Sequence, residues 1–184
     1  MADVLRPDSE DRLAEVISWA AGEDQPLEVI GLGTKRALGH EVEADYTLDL
    51  SAFSGIRQYE PAELVMTLGP ATPLLEVQKL LHDNQQMLAF EPPNAGRLLQ
   101  GQSLPGSIGG VVGCGLSGPR RFRAGAVRDH VLGIRGVTGR GEVFKSGGKV
   151  VKNVTGYDLS KVLTGSYGTL AALTEVTLKV LPAP

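Results

Sequence analysis

Leu13, Val16, Ile17 and Ala20 recur at helical spacing, with Asp8 or Ser9 placed to cap the start and Gly22 placed to end the run. Leu27–Ile30 is a short apolar run that leads into glycines and reads as a strand entering a loop. Residues 46–50 alternate and predict a second strand; residues 64–68 predict a third. Thr72-Pro73 opens a second helix, because proline at the first helical position lacks only a donor that would be unpaired there. Leu74, Val77, Leu80 and Leu81 line that helix, and Asn84 can close it. The order helix, strand, strand, strand, helix predicts a small α/β lobe over residues 1–90.

A loop rich in proline and glycine follows over residues 89–118. Residues 131–137 and 142–145 then flank Thr138-Gly139-Arg140-Gly141, a hairpin signal. Val150-Val151 is a candidate strand and Leu159–Leu163 a short helical turn. Residues 170–180 alternate, with Leu173, Val176 and Leu178 among the apolar positions, and read as a late strand. Residues 91–184 thus form a β-rich lobe, the fold class is α+β, and the glycine-rich seam between the lobes is the place for a ligand.

A chain of 184 residues, 42% hydrophobic and 21% charged, is large enough to bury a core without staples. A net charge of −3 with no basic block argues against nucleic acid as a partner. The single cysteine, Cys114, makes neither an internal disulfide nor an iron–sulfur cluster. No apolar run approaches the roughly 18 residues of a membrane span. Residues 1–9 carry acids and a proline where a signal peptide carries an apolar core, so the expected location is the cytoplasm, without direct membrane insertion.

Glycine changes the picture most. The 24 glycines are about twice the usual share of roughly 7%, and they cluster at 31–39, 101–118, 133–148 and 165–168. In Gly31-Leu32-Gly33-Thr34-Lys35-Arg36, glycines at alternate positions let successive N–H groups converge on an anion, with the Thr34 hydroxyl and Lys35 or Arg36 adding a donor and charge. A plain tight turn explains the same residues. A Rossmann fingerprint does not, because Arg36 stands at its third glycine and no helix pattern follows. The second loop, Pro105-Gly106-Ser107-Ile108-Gly109-Gly110-Val111-Val112-Gly113-Cys114-Gly115, lets Ser107 cap a short helix whose first N–H groups face an anion. A close-packed glycine crossover is the alternative. Two anion loops together fit a diphosphate with a long organic body.

Five segments in order carry a family resemblance: residues 30–39, 107–118 and 123–129, the run Lys152-Asn153-Val154-Thr155-Gly156-Tyr157-Asp158-Leu159, and Gly165-Ser166-Tyr167-Gly168-Thr169-Leu170. The chain resembles the FAD-binding module of the vanillyl-alcohol oxidase and p-cresol methylhydroxylase family, most nearly the FAD-binding subunits of bacterial glycolate oxidases. The resemblance implies two subdomains with FAD stretched between them. It implies cofactor contacts from Gly31, Leu32, Gly33, Thr34 and Lys35 at the diphosphate, and from Gly106, Ser107, Ile108, Gly109, Gly110 and Gly113 along the cofactor. Leu173 would lie near the flavin or ribityl chain. Partners would be other glycolate-oxidase-type subunits, including an iron–sulfur protein through which the chain could sit peripheral to the inner membrane, and a small 2-hydroxy acid as substrate. Leu181-Pro182-Ala183-Pro184 reads as a linker where relatives continue into a cap domain, so the isolated chain is expected to turn over poorly.

The remaining chemistry is thin. His40, His82 and His130 are scattered and make no metal cluster, and His82 reads as a surface residue on the second helix. Cys114 sits between glycines, where a small side chain suffices for packing. Arg120, Arg121 and Arg123 face phosphate, a partner or solvent; Lys149 and Lys152 are candidates to lie near the flavin; Tyr157 and Asp158 hold a turn. No residue stands out as a catalytic base. Three functions remain open: a flavoprotein oxidoreductase subunit, an FAD-binding structural or electron-relay module, and a glycine-rich β domain without cofactor. Family loops often open with arginine and three glycines, and some carry a histidine bonded covalently to the flavin; here Leu32 interrupts the glycines and no histidine lies between Gly31 and Arg36. FAD is therefore expected to be non-covalent. Acid precipitation should release all the flavin into the supernatant; flavin left on the washed pellet would refute this and make Cys114 the first suspect.

Overall fold

The computed structural model describes residues 3–40, 42–101, 105–148 and 156–184. It begins with a short strand the hydrophobic pattern does not show, β1 (Asp3–Leu5), which leads into α1 (Glu10–Gly22). Ser9, not Asp8, caps α1: its backbone is extended and its side chain accepts from the Arg12 amide. The predicted stripe is the buried one, with Leu13, Ile17 and Ala20 inside. β2 (Leu27–Ile30) and β3 (Tyr46–Asp49) follow, and β3 lies between β1 and β2 in a parallel three-stranded sheet.

β4 (Ile56–Glu60), also unmarked by the pattern, and β5 (Val65–Leu68) come next. β5 starts one residue later than predicted, because Leu64 takes the left-handed conformation, φ 57°, that closes the turn between them. α2 (Leu74–Asp83) has Pro73 as its cap rather than its first residue. After β6 (Gln86–Met87), the stretch read as loop contains two short helices, α3 (Ala95–Gln100) and α4 (Ile108–Gly113). α5 (Arg121–Ala124) and α6 (Val127–His130) then lead to the predicted hairpin, β7 (Val131–Thr138) and β8 (Val143–Gly147). α7 (Leu159–Leu163) matches the helical turn, β9 (Ala171–Lys179) is the late strand, and β10 (Leu181–Pro182) pairs with β6. Val150-Val151, Lys149, Lys152 and residues 153–155 lie outside the described residues.

One expectation about organisation needs correction. The hydrophobic pattern places β5 and α2 in the α/β lobe, with a boundary near residue 90. β5 instead joins an antiparallel five-stranded sheet in the order β4-β5-β9-β7-β8. All four residues of β5 are buried, so it needs strands on both edges and cover on both faces, which a terminal place in the small sheet would not provide. The parallel sheet is made by residues 3–49 and the antiparallel one by strands from residue 56 onward.

Two cores meet on the large sheet. α2, α4 and Phe90 pack on one face with Leu68, Ile134, Leu173, Val176 and Leu178. α1, through Leu13 and Ile17, packs with Leu48, Leu50, Phe53, Val137 and Ala172 on the other. α1 is thus the slab between the small sheet and the large one. Leu13→Ala removes a fully buried side chain at that junction. We expect it to cost about 2–5 kcal/mol, read as a lowered urea midpoint at unchanged slope; a cost below about 1 kcal/mol would show that the two sheets do not depend on this contact.

Candidate functional site

A cleft of about 600 Å³ opens between the two sheets. Its walls are the loop after β2, the exposed side of α4, the loop of residues 166–169, and Ala171 and Leu173 of β9. Gly31, Leu32, Gly33, Thr34, Lys35, Ser107, Gly109, Gly110, Gly113 and Leu173 all line it. Two predicted residues do not. Ile108 is fully buried in the large core, and at Gly106 a Cβ would come within 2.2 Å of Thr34 Oγ1. Gly106 lets the two glycine loops approach closely.

The first loop is built to present charge. Gly33 adopts φ 68°, the left-handed conformation that favours glycine, and its carbonyl accepts from the Arg36 amide at 3.3 Å. Of the two candidate cations, Arg36 is taken: it donates twice to Glu28, at 2.7 and 2.5 Å. Lys35 is half-buried, its ammonium donates to Thr34 Oγ1 at 3.4 Å, and no ion pair to it is present among the described residues. Burial pushes the Lys35 ammonium below its ordinary value, opposed by Cys114 on the same wall. A partly desolvated cation with no carboxylate beside it would gain from an anion in the cleft. At Gly110 a Cβ would stand 3.0 Å from Lys35 Nζ, so the glycine keeps the space beside the ammonium open.

α4 contributes differently from the expectation. Ser107 does cap it, its hydroxyl accepting from the Gly110 amide at 3.3 Å. Yet the first amides do not face an anion. Ile108 donates to the Thr72 carbonyl at 3.1 Å and Gly109 to the Pro70 carbonyl at 2.6 Å. The segment runs beside residues 70–74, with Ser107 bridged to Pro73 and the Leu74 amide donating to the Gly106 carbonyl, and this pairing consumes the donors. What α4 offers the cleft is a smooth floor of glycines, with open space above Gly113.

Sequence reasoning missed the share of Pro70, Ala71, Leu163, His40 and residues 166–169 in the walls. The glycines at 165 and 168 were visible, but only tertiary pairing brings their loop to α4, where Gly165 and Tyr167 donate to the carbonyls of Val112 and Gly113. Arg120, Arg121 and Arg123 are not among the lining residues, and His82 is exposed as expected. His130 is buried against Phe90, and no metal-ligand cluster is present among the described residues. The Tyr157 side chain is exposed while its carbonyl accepts from the Leu159 amide, and Asp158 accepts from the Ser160 hydroxyl, so both residues take part in the turn.

The family model for an FAD binding domain matches residues 1–147. The chain belongs to the FAD-binding domain family. Its cofactor is FAD, and the cleft has a floor of glycines and a cation with no ion pair among the described residues. Among the relatives of this family, the glycolate oxidase subunit GlcE of Escherichia coli is 44% identical over 177 residues, covering 96% of this chain and 48% of the relative. The mitochondrial cytochrome-linked D-lactate dehydrogenase of Arabidopsis thaliana is 26% identical over 184 residues, covering 98% of this chain and 30% of the relative. The chain therefore spans about half, or less, of the length of these relatives. The solved structure of alkyldihydroxyacetonephosphate synthase superposes with a TM-score of 0.74 at 18% identity, covering 98% of this chain and 32% of that one, so the two share the two-lobed fold. No described helix is long and apolar enough to cross a membrane.

Burial raises the Cys114 thiol above its ordinary value, and the Lys35 ammonium pulls in the opposite direction. Because Cys114 is the sole cysteine, alkylation reports on it alone. The rate of reaction with iodoacetamide should rise with pH to a midpoint above that of a free thiol, and Lys35→Met should move the midpoint higher still. A midpoint unchanged by Lys35→Met would separate the two groups.

Proposed function

We propose that this chain is the FAD-binding part of a 2-hydroxyacid oxidoreductase of the glycolate oxidase type, with the isoalloxazine and diphosphate both held in the cleft between the sheets. The observation that supports this most directly is the convergence of residues 31–35, the α4 glycines and Leu173 on one cleft whose cation has no protein counter-ion among the described residues. When bound, FAD supplies the hydride acceptor for oxidation of the hydroxy acid. The protein's part is to hold and orient it. Gly31, Leu32, Gly33 and Thr34 would wrap the diphosphate, with the Lys35 ammonium neutralising its charge. Gly109, Gly110 and Gly113 would lie along the cofactor, where side chains would block close approach, while Leu173 and Ala171 would supply an apolar wall that excludes water.

The similarity to a subunit named for glycolate oxidase supports assembly with partner subunits; electron delivery to them, an iron–sulfur protein among them, and a cytoplasmic place peripheral to the inner membrane through those partners are part of this proposal. The two-lobed division, a non-covalent cofactor and the site residues given above belong to the same proposal.

Gly33→Val tests the placement of the diphosphate. A β-branched residue at φ 68° costs of order 1–3 kcal/mol in backbone strain, and the loop should give up the convergent geometry to escape it. FAD affinity, measured by quenching of flavin fluorescence, should fall at least about tenfold while the far-ultraviolet dichroism stays native. Unchanged affinity would overturn the placement. Anaerobic addition of glycolate or D-lactate to the FAD-loaded protein should bleach the flavin band over a single slow turnover, in keeping with the poor steady-state turnover expected of this chain; persistence of the band with both acids would favour an electron-relay module instead.

A further inference from the structure

β9 carries an irregular step beside the cleft. Its register against β7 runs Arg135 opposite Glu175, then Gly136 opposite Leu173, so Thr174 is an extra residue with no partner across the ladder. The step changes which way the strand faces. Ala171 and Leu173 lie on the same side as Val176, Leu178 and Val180, all in the large core, whereas Ala172 packs on the other side with α1. Strict alternation would put positions 171 and 173 on the face opposite 176, 178 and 180. The bulge is what lets one strand keep its lower half in the core and also turn Leu173 into the cleft.

The bulge is held by side chains from outside the cleft. Glu10, in the first turn of α1, accepts from Arg135 Nε at 2.7 and 2.8 Å and pairs with its Nη2 at 2.6 Å. The fully buried Thr174 donates its hydroxyl to the same carboxylate at 2.5 Å. The Thr174 carbonyl accepts from Arg57 Nη2 at 3.0 Å, and Arg57 Nη1 pairs with Glu175 at 2.9 Å. The hydroxyl and carbonyl of the extra residue are thus both bound by side chains. Opposite it, a Cβ on Gly136 would meet the Ala172 carbonyl at 2.4 Å, so the strands approach closely at the step. Hydrogen bonds from Arg135 hold the Glu10 carboxyl below its ordinary value against the opposing effect of burial, keeping it ionised at neutral pH. Polar clusters of this kind are best attested as devices that set register, not as sources of net stability.

We infer that Glu10, Arg135, Arg57 and Thr174 are positioning residues that lock the β9 bulge in one register and so aim Leu173 at the cofactor. None of the four lines the cleft. The inference rests on the proposed seat of FAD against Leu173, and it makes α1 a part of the cofactor site at one remove.

The test compares FAD affinity in the wild-type protein, Glu10→Gln, Thr174→Val, Leu173→Ala and the double variant Glu10→Gln/Leu173→Ala. Glu10→Gln and Thr174→Val keep side-chain size, and each should weaken FAD about tenfold while unfolding stays cooperative. Leu173→Ala should weaken it too. In the double variant the losses should fail to multiply, because Glu10 acts through the wall that Leu173 forms. Wild-type affinity in Glu10→Gln and Thr174→Val, or losses that multiply with Leu173→Ala, would overturn the inference while leaving the FAD cleft standing. Wild-type affinity in Leu173→Ala would overturn the seat of FAD against this strand and the inference with it. Should Glu10→Gln fail to fold, the Thr174→Val and Leu173→Ala cycle carries the same comparison.

Discussion

The backbone of residues 106–110 is pressed between two neighbours, and the rest of the site depends on that contact. On one side its amides and carbonyls are paired with residues 70–74; on the other it meets Thr34 and Lys35 of the loop after β2. Side chains at these positions would force the two loops apart: a Cβ on Gly109 would fall 2.6 Å from Pro70, and one on Gly106 would collide with Thr34. The glycine excess serves this close approach as much as it serves a ligand. It brings the small sheet's loop and the large sheet's helix near enough to share one cleft, with Lys35 projecting into it.

Sharing a cleft between two sheets requires that the sheets keep a set relation, and α1 with β9 maintains it. α1 buries Leu13 and Ile17 against β3 residues and against Val137 and Ala172 of the large sheet. β9 offers Ala172 to that contact while its neighbours Ala171 and Leu173 face the cleft. The polar cluster around Glu10 sits where these demands meet, at the one residue of β9 that has no place in the ladder. Packing supplies most of the cohesion; hydrogen bonds to Thr174 decide which of two registers that packing takes.

Much of the fold was legible from local pattern. The α1 stripe, the hairpin at residues 138–141 and the Ser107 cap are each written in a few adjacent residues, and each stands where local chemistry puts it. β1 and β4 were missed because the first is only three residues long, and neither buries a full face. The lobe boundary was misplaced because partner choice is not local: the apolar run of β5 says that it is buried and does not say which sheet buries it. The amides of α4 were assigned to an anion because a cap signals a helix start but not what lies opposite it.

Even the bulge has a trace in the sequence, since Leu173 and Val176 cannot both fit one period of two. By itself the sequence determined the glycine loops, the cation candidates and most elements, because those follow from residue type and short spacing; the family came from likeness across whole segments and not from spacing. Only the tertiary structure decided that Arg36 is spent on Glu28 while Lys35 remains for the cleft, that Ile108 is buried in the large core, and that Thr174 is the residue left out of the ladder. Each of these is a choice between partners far apart in the chain, and such choices are settled by which surfaces can be buried together.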